Sequence, residues 1–147
     1  MFRGNQNKEE MMFRSIRISD YMTTSLITTT PDADLLSAVD LLIEHGISGM
    51  PVVQDGQLIG MVSEHDCLNG ILKGTYQGEV GGRVAEVMSQ QIDTIAHDTD
   101  VIAAAESFMK LGRRRLPVVD ASGKLIGQLS RCDVLRAIRA YELPESA

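Results

Sequence analysis

The stretch IGMVSEHDCL at residues 59–68 has a near twin in IGQLSRCDVL at residues 126–135. Each runs Ile-Gly, two further residues, Ser-x-x-Asp and then a hydrophobic turn. A Ser followed three positions later by an acid, at the end of an apolar run, is the pattern that caps the start of a helix. The same two side chains also suit a ligand. One carboxylate accepts hydrogen bonds from two adjacent hydroxyls, and a helix N-terminus offers backbone donors to phosphate. Spacing leaves both readings open for Ser63 with Asp66 and for Ser130 with Asp133, because duplicating a cap duplicates the pattern too.

Outward from these turns the duplication covers most of the chain. Residues 21–53 align without a gap on 87–119 at an offset of 66, so that Met22, Asp34, Ala38, Gly46, Pro51, Val52 and Val53 meet identical residues at Met88, Asp100, Ala104, Gly112, Pro117, Val118 and Val119. Beyond Pro-Val-Val the second copy is one residue longer at a hairpin tip, where insertion is tolerated, and the offset becomes 67.

Leu35, Val39, Leu42 and Ile43 lie at helical spacing, as do Val101, Ala105, Phe108 and Met109, with Gly46 and Gly112 as stops. Asp55-Gly56 and Ser122-Gly123 sit between apolar runs as hairpin turns, and second helices are predicted near 64–73 and 131–141. A short extended piece precedes each first helix. The expectation is an α/β fold of two pseudo-symmetric β-α-β-β-α repeats packed as one module, since a unit of about 60 residues buries too little surface to be comfortably stable alone. The predicted boundaries are a loose tail at 1–14 with one helical turn at most, repeat 1 at 15–74, a glycine-rich linker at 75–81, repeat 2 at 82–141 and a C-terminal tail at 142–147.

Composition is that of an ordinary soluble globular protein, 44% hydrophobic and 23% charged. No apolar run nears the roughly 20 residues of a membrane span and no secretory segment opens the chain, so a cytoplasmic location without membrane partners is expected. Fourteen basic against twenty acidic side chains give a net charge of -6, which disfavours nucleic acid as a partner but leaves room for a local basic pocket. Cys67 and Cys132 are not equivalent in the two copies and form no metal-ligand spacing, so both read as reduced thiols.

With SDYM and AEVM opening the copies, TTTPDADLLSAVDLL at the first helix, GISGMPVV and RRRLPVV at the strands, and the doubled Gly-x-x-Ser-x-x-Asp, the chain resembles the tandem cystathionine-β-synthase (CBS) domain pair, or Bateman module, from about Ile16 to Tyr141. The resemblance implies a regulatory module, not an enzyme, that senses an adenosyl ligand such as AMP, ADP, ATP or S-adenosylmethionine in clefts between the repeats, forms a homodimer and signals to a protein partner. It implies no obligatory cofactor. One cleft would use Ser130, Cys132 and Asp133 with Thr24, Ile47 and Ser48; the other would use Ser63, His65 and Asp66 with Gln90, Arg113, Arg114 and Arg115. Asp133 is expected to be the better ribose anchor and the arginine run to give the Asp66 cleft a taste for di- and triphosphates. The alternative is a dimerisation and interaction module with no ligand.

Nothing in the chain pairs a nucleophile with a base, and consecutive Glu64-His65-Asp66 point in different directions on a helix, so neither a catalytic nor a metal site is expected. His45 and His97 read as ordinary polar positions, and Met22 and Met88 as core filler. Leu41, Leu42, Ile43, Leu68, Ile71 and Leu72 together suggest more apolar helix surface than one repeat can cover.

Overall fold

Both repeated turns fold as helix caps. The computed structural model describes the backbone from Arg3 and whole residues from Lys8 to Tyr141. In chain order the elements are α1 (Arg3–Arg14), a 3-10 turn (Ile18–Asp20), α2 (Leu35–His45), β1 (Gly49–Gln54), β2 (Gln57–Ser63), α3 (Glu64–Tyr76), α4 (Val84–Val87), β3 (Ile95–Ala96), α5 (Val101–Leu111), β4 (Arg115–Val119), β5 (Leu125–Ser130) and α6 (Arg131–Ala140).

Local chemistry explains most of these limits. Gly46 and Gly112 stop α2 and α5 with φ of 60° and 66°, a left-handed conformation that glycine adopts without a Cβ penalty. Asp55 and Gly56 both take positive φ, 52° and 79°, as a tight hairpin between β1 and β2 requires. That hairpin is antiparallel, pairing Gly49 with Ser63 and Val52 with Gly60, with a bulge between Val52 and Val53. In the second copy β3 joins β4 in parallel and β4 neighbours β5. The extended piece of the first copy shrinks to a single parallel bridge between Thr29 and Val52.

The chain forms two compact units, and their membership differs from the sequence copies. Unit 1 takes the described residues up to Leu26, then Asp93–Ser122 and those from Ile126; unit 2 takes Ile27–Ile92 and Gly123–Leu125. The segment that opens each copy therefore serves the body of the other copy. Thr23 and Gln128 exchange backbone hydrogen bonds at 2.9 Å in unit 1, and Met61 and Ser89 do so at 2.9 and 2.8 Å in unit 2. Arg17 bridges Asp100, and its counterpart Arg83 bridges Asp34. Ile18 is buried in the unit 1 core with Val101, Phe108, Leu116 and Leu129, while its counterpart Val84 is buried in the unit 2 core with Leu35, Met50, Val52 and Val62. Each core is thus closed by a residue from the opposite end of the duplication. Met22 and Met88 pack on the unit 1 and unit 2 cores as the core-filler reading expects, and in addition Met22 lies against Gly127 and Met88 against Gly60.

Three further expectations change. From Arg3 the stretch expected as a loose tail with one helical turn at most is helical: α1 runs from Arg3 to Arg14. It is held on unit 1 by an edge-to-face contact of Phe13 with Tyr141, centroids 5.9 Å apart, and by ion pairs from Arg14 to Asp100 and Glu106, while Arg14 and Glu10 pair within the helix. A helix that depends on tertiary partners is invisible to local propensity. The Glu10 hydrogen bond, more than the nearby carboxylate charges, raises the Arg14 pKa above its ordinary value. At the start of the expected linker, α3 continues through Gly74 to Tyr76. His97 is not an ordinary polar position either, because its Nδ1 is buried without a hydrogen-bond partner among the described residues, whereas His45 is exposed. The expected C-terminal tail at 142–147 lies outside the described residues.

The six residues expected to form an uncovered apolar face divide. Leu42 is buried, and Leu41 and Ile71 pack on the unit 2 core; Ile43, Leu68 and Leu72 remain 72%, 62% and 50% exposed. Ile43, Leu68 and Ile71 line an apolar groove of about 200 Å³ between α2 and α3. Unit 1 repeats the arrangement, since Met109 and Leu135, the counterparts of Ile43 and Leu68, are also exposed.

Candidate functional site

In unit 1, Ser130 accepts a hydrogen bond on Oγ from the Asp133 backbone N–H at 3.1 Å, and its own N–H donates to Asp133 Oδ2 at 2.8 Å. This reciprocal box opens α6, and it puts a carboxylate at the first turn with only 3% of the residue exposed. The second carboxylate oxygen, Oδ1, accepts from Arg136 Nη2, and Arg136 Nη1 donates to Cys132 Sγ at 3.3 Å. Both Asp133 oxygens are therefore engaged locally, one by the Ser130 cap and one by Arg136.

Unit 2 has the same box with a different second half. Ser63 donates to Asp66 Oδ2 through both its N–H and its Oγ at 2.9 Å, and Asp66 N–H donates back to Oγ at 3.1 Å. Asn69 stands where unit 1 has Arg136, and Asp66 Oδ1 accepts no hydrogen bond among the described residues. The neighbouring Cys67 is buried behind this turn. Burial first, and the Asp66 charge second, raise its thiol pKa.

What adjoins each turn follows from the strands. Glu64 N–H donates to the Ser48 carbonyl at 2.9 Å, so Ile47 and Ser48 stand beside the Ser63 cap. Arg131 N–H donates to the Arg114 carbonyl at 3.1 Å and Arg131 Nε to the Arg113 carbonyl at 2.8 Å, so the arginine run stands beside the Ser130 cap. The Thr23–Gln128 bridge lays Thr24 along β5 in unit 1, and the Met61–Ser89 bridge lays Gln90 along β2 in unit 2. Thr24, Arg113, Arg114, Arg115, Ser130, Cys132 and Asp133 accordingly share unit 1, while Ile47, Ser48, Ser63, His65, Asp66 and Gln90 share unit 2. Within the units, the arginine run adjoins Asp133, where the sequence reading assigned it to Asp66.

The electrostatics of the two turns diverge. Arg113, Arg114, Arg115 and Arg131 face counterparts Ile47, Ser48, Gly49 and Glu64 in unit 2, four cations against one anion. Arg113 is spent on Asp93 at 3.0 Å, but Arg114 and Arg115 are exposed and make no ion pair among the described residues. Arg131 and Arg136 were not among the sequence candidates. Their signal is the difference between SEHDCLN and SRCDVLR, which a search for similarity passes over.

The profile of the CBS domain matches residues 18–73 and again 84–140. The chain belongs to the CBS domain family. Among related structures, that of CBSX2 in complex with AMP is 34% identical, covers 83% of this chain and 95% of that one, and superposes with a TM-score of 0.70; CBSX2 is a chloroplastic CBS domain-containing protein of Arabidopsis thaliana. The CBS domain pair of MJ0100, in complex with 5′-methylthioadenosine and S-adenosyl-L-methionine, is 25% identical, covers 82% of this chain and 93% of that one, and gives 0.63. The uncharacterized protein MJ0188 of Methanocaldococcus jannaschii is 33% identical over 125 residues, which are 84% of this chain and 44% of that protein. The chain thus spans less than half of MJ0188, and 42% of MJ1232 from the same organism. The two CBS repeats are the copies read from the sequence, and their mixed α/β fold is that of the CBS pairs. No helix among the described residues is long and apolar enough to cross a membrane.

Proposed function

We propose that this CBS pair is a regulatory module that binds adenosyl ligands at its two Ser-x-x-Asp turns, and that the turn of unit 1 takes a phosphorylated one such as AMP, ADP or ATP. The observation that carries the reading is the unpaired Arg114 and Arg115 beside the Ser130–Asp133 turn. Asp133 would receive the ribose hydroxyls, and the guanidinium groups, with the backbone donors of α6, would receive phosphate. The unit 2 turn, with Ile47, Ser48, His65 and Asp66, offers few fixed charges and suits a ligand with little or no phosphate, such as S-adenosylmethionine. AMP in CBSX2 and the two adenosyl ligands of MJ0100 support an adenosyl ligand for this chain.

The exposed Ile43, Leu68, Met109 and Leu135 support a homodimer built on the helices, and ligand would act by favouring one of two arrangements by no more than its difference in affinity for them. A protein partner would read that shift. Calorimetric titration of the wild-type protein with AMP, ATP, S-adenosylmethionine and adenosine tests the reading. Saturable binding that Asp133→Ala or Asp66→Ala weakens about tenfold or more supports it.

One observation favours the alternative of a dimerisation module without ligand: both carboxylates are already engaged as helix caps. That reading holds if no adenosyl ligand binds and light scattering still gives a dimer that Ile43→Asp with Leu68→Asp dissociates.

A further inference from the structure

Both Ser-x-x-Asp turns cap a helix, yet only one carboxylate is closed. Arg136 bonds Asp133 Oδ1, the oxygen left after Ser130 has taken Oδ2. The Arg136 side chain is 61% exposed and the Asp133 side chain 4%, so the guanidinium forms the solvent-facing lid of a buried carboxylate. Ribose hydroxyls reaching that carboxylate must displace Arg136 or share its acceptor.

Resting on the adenosyl reading above, we infer that Arg136 is a specificity-determining residue that selects phosphorylated over unphosphorylated adenosyl ligands at the unit 1 turn. A neutral nucleoside exchanges an ion pair for bonds from uncharged hydroxyls and leaves the guanidinium without an anionic partner, a net loss. A nucleotide gives it a new partner. The contact to Cys132 Sγ at 3.3 Å shows that Arg136 reaches back over the first turn of α6, where the helix N-terminus and the adjoining Arg114 favour phosphate. Asn69 in unit 2 imposes no such test, because Asp66 Oδ1 accepts no hydrogen bond among the described residues.

The experiment is calorimetric titration with AMP and with adenosine in an Asp66→Ala background, which confines the readout to unit 1, comparing Arg136 with Arg136→Ala and Arg136→Gln. Circular dichroism confirms folding, and two substitutions at an exposed site guard against a structural artefact. Both are expected to bind adenosine about tenfold more tightly and AMP no more tightly, so that the preference for AMP falls by at least that factor. The gain for an uncharged ligand cannot come from long-range electrostatics. In reciprocal fashion, Asn69→Arg in an Asp133→Ala background should weaken adenosine at unit 2. An AMP-to-adenosine ratio unchanged by both Arg136 substitutions overturns the inference while leaving the adenosyl reading intact. A wild-type protein that binds none of AMP, ATP, S-adenosylmethionine and adenosine overturns the adenosyl reading, and the inference with it.

Discussion

Met88 lies over Gly60, its sulfur 2.8 Å from the point a β-carbon on that glycine would occupy, with the Ser89 carbonyl 3.0 Å from the same point. Gly127 is covered in the same way by Met22, at 2.5 Å. The glycine of Gly-x-x-Ser-x-x-Asp is therefore required because a chain segment from the other repeat crosses it at close range. Methionine can bend away from an added methyl group; a paired backbone carbonyl cannot. Gly60→Ala should lower stability by about 1–3 kcal/mol, the usual cost of overpacking. Urea denaturation measures it, and a loss below about 0.5 kcal/mol would show that the crossing strand yields.

Ser63→Ala and Ser130→Ala each remove one half of a capping box and should each cost about 0.5–2 kcal/mol of stability, with Ser→Asn recovering most of it. The loss should appear without any ligand present. Chemical denaturation in ligand-free buffer checks this.

Phe13 and Tyr141 hold α1 on unit 1. Phe13→Ala and Tyr141→Ala should each speed amide hydrogen exchange along α1, and the double substitution should add little, since each removes the same contact, worth about 0.5–1.5 kcal/mol beyond its buried area. Additive effects in the double variant would indicate that the two rings act separately.

Cys67 is buried and its thiol pKa is raised, whereas Cys132 is exposed. A thiol whose folded pKa exceeds its unfolded value favours folding fully below the unfolded value of about 8.5, and that contribution is lost as pH rises from there through the folded value. Melting temperature should fall more between pH 8 and 10 in the wild type than in Cys67→Ala, conditions taken around that ordinary thiol value. A disulfide reagent should label Cys132 at once and Cys67 only on unfolding, which mass spectrometry of the labelled peptides reports.

The duplication, the helix and hairpin limits, the glycine stops at Gly46 and Gly112, and the family were legible in the sequence because each rests on spacing or on a backbone conformation that one residue type supplies. The Ser-x-x-Asp turns were legible for the same reason, as caps whose partners lie three residues apart. Tertiary structure alone decided the rest. That the opening segment of each copy completes the other unit, so that Ile18 and Val84 close opposite cores, depends on which strand edge is free when the chain folds back, a matter of long-range pairing with no local trace. It likewise decided that Arg113, Arg114 and Arg115 adjoin Asp133, through the Arg131–Arg114 backbone bond, and that Arg136 closes one carboxylate while Asp66 Oδ1 accepts no hydrogen bond among the described residues. Charge placement at a site is a sum over side chains brought together from distant positions, and the sequence lists those charges without giving the distances that weight them.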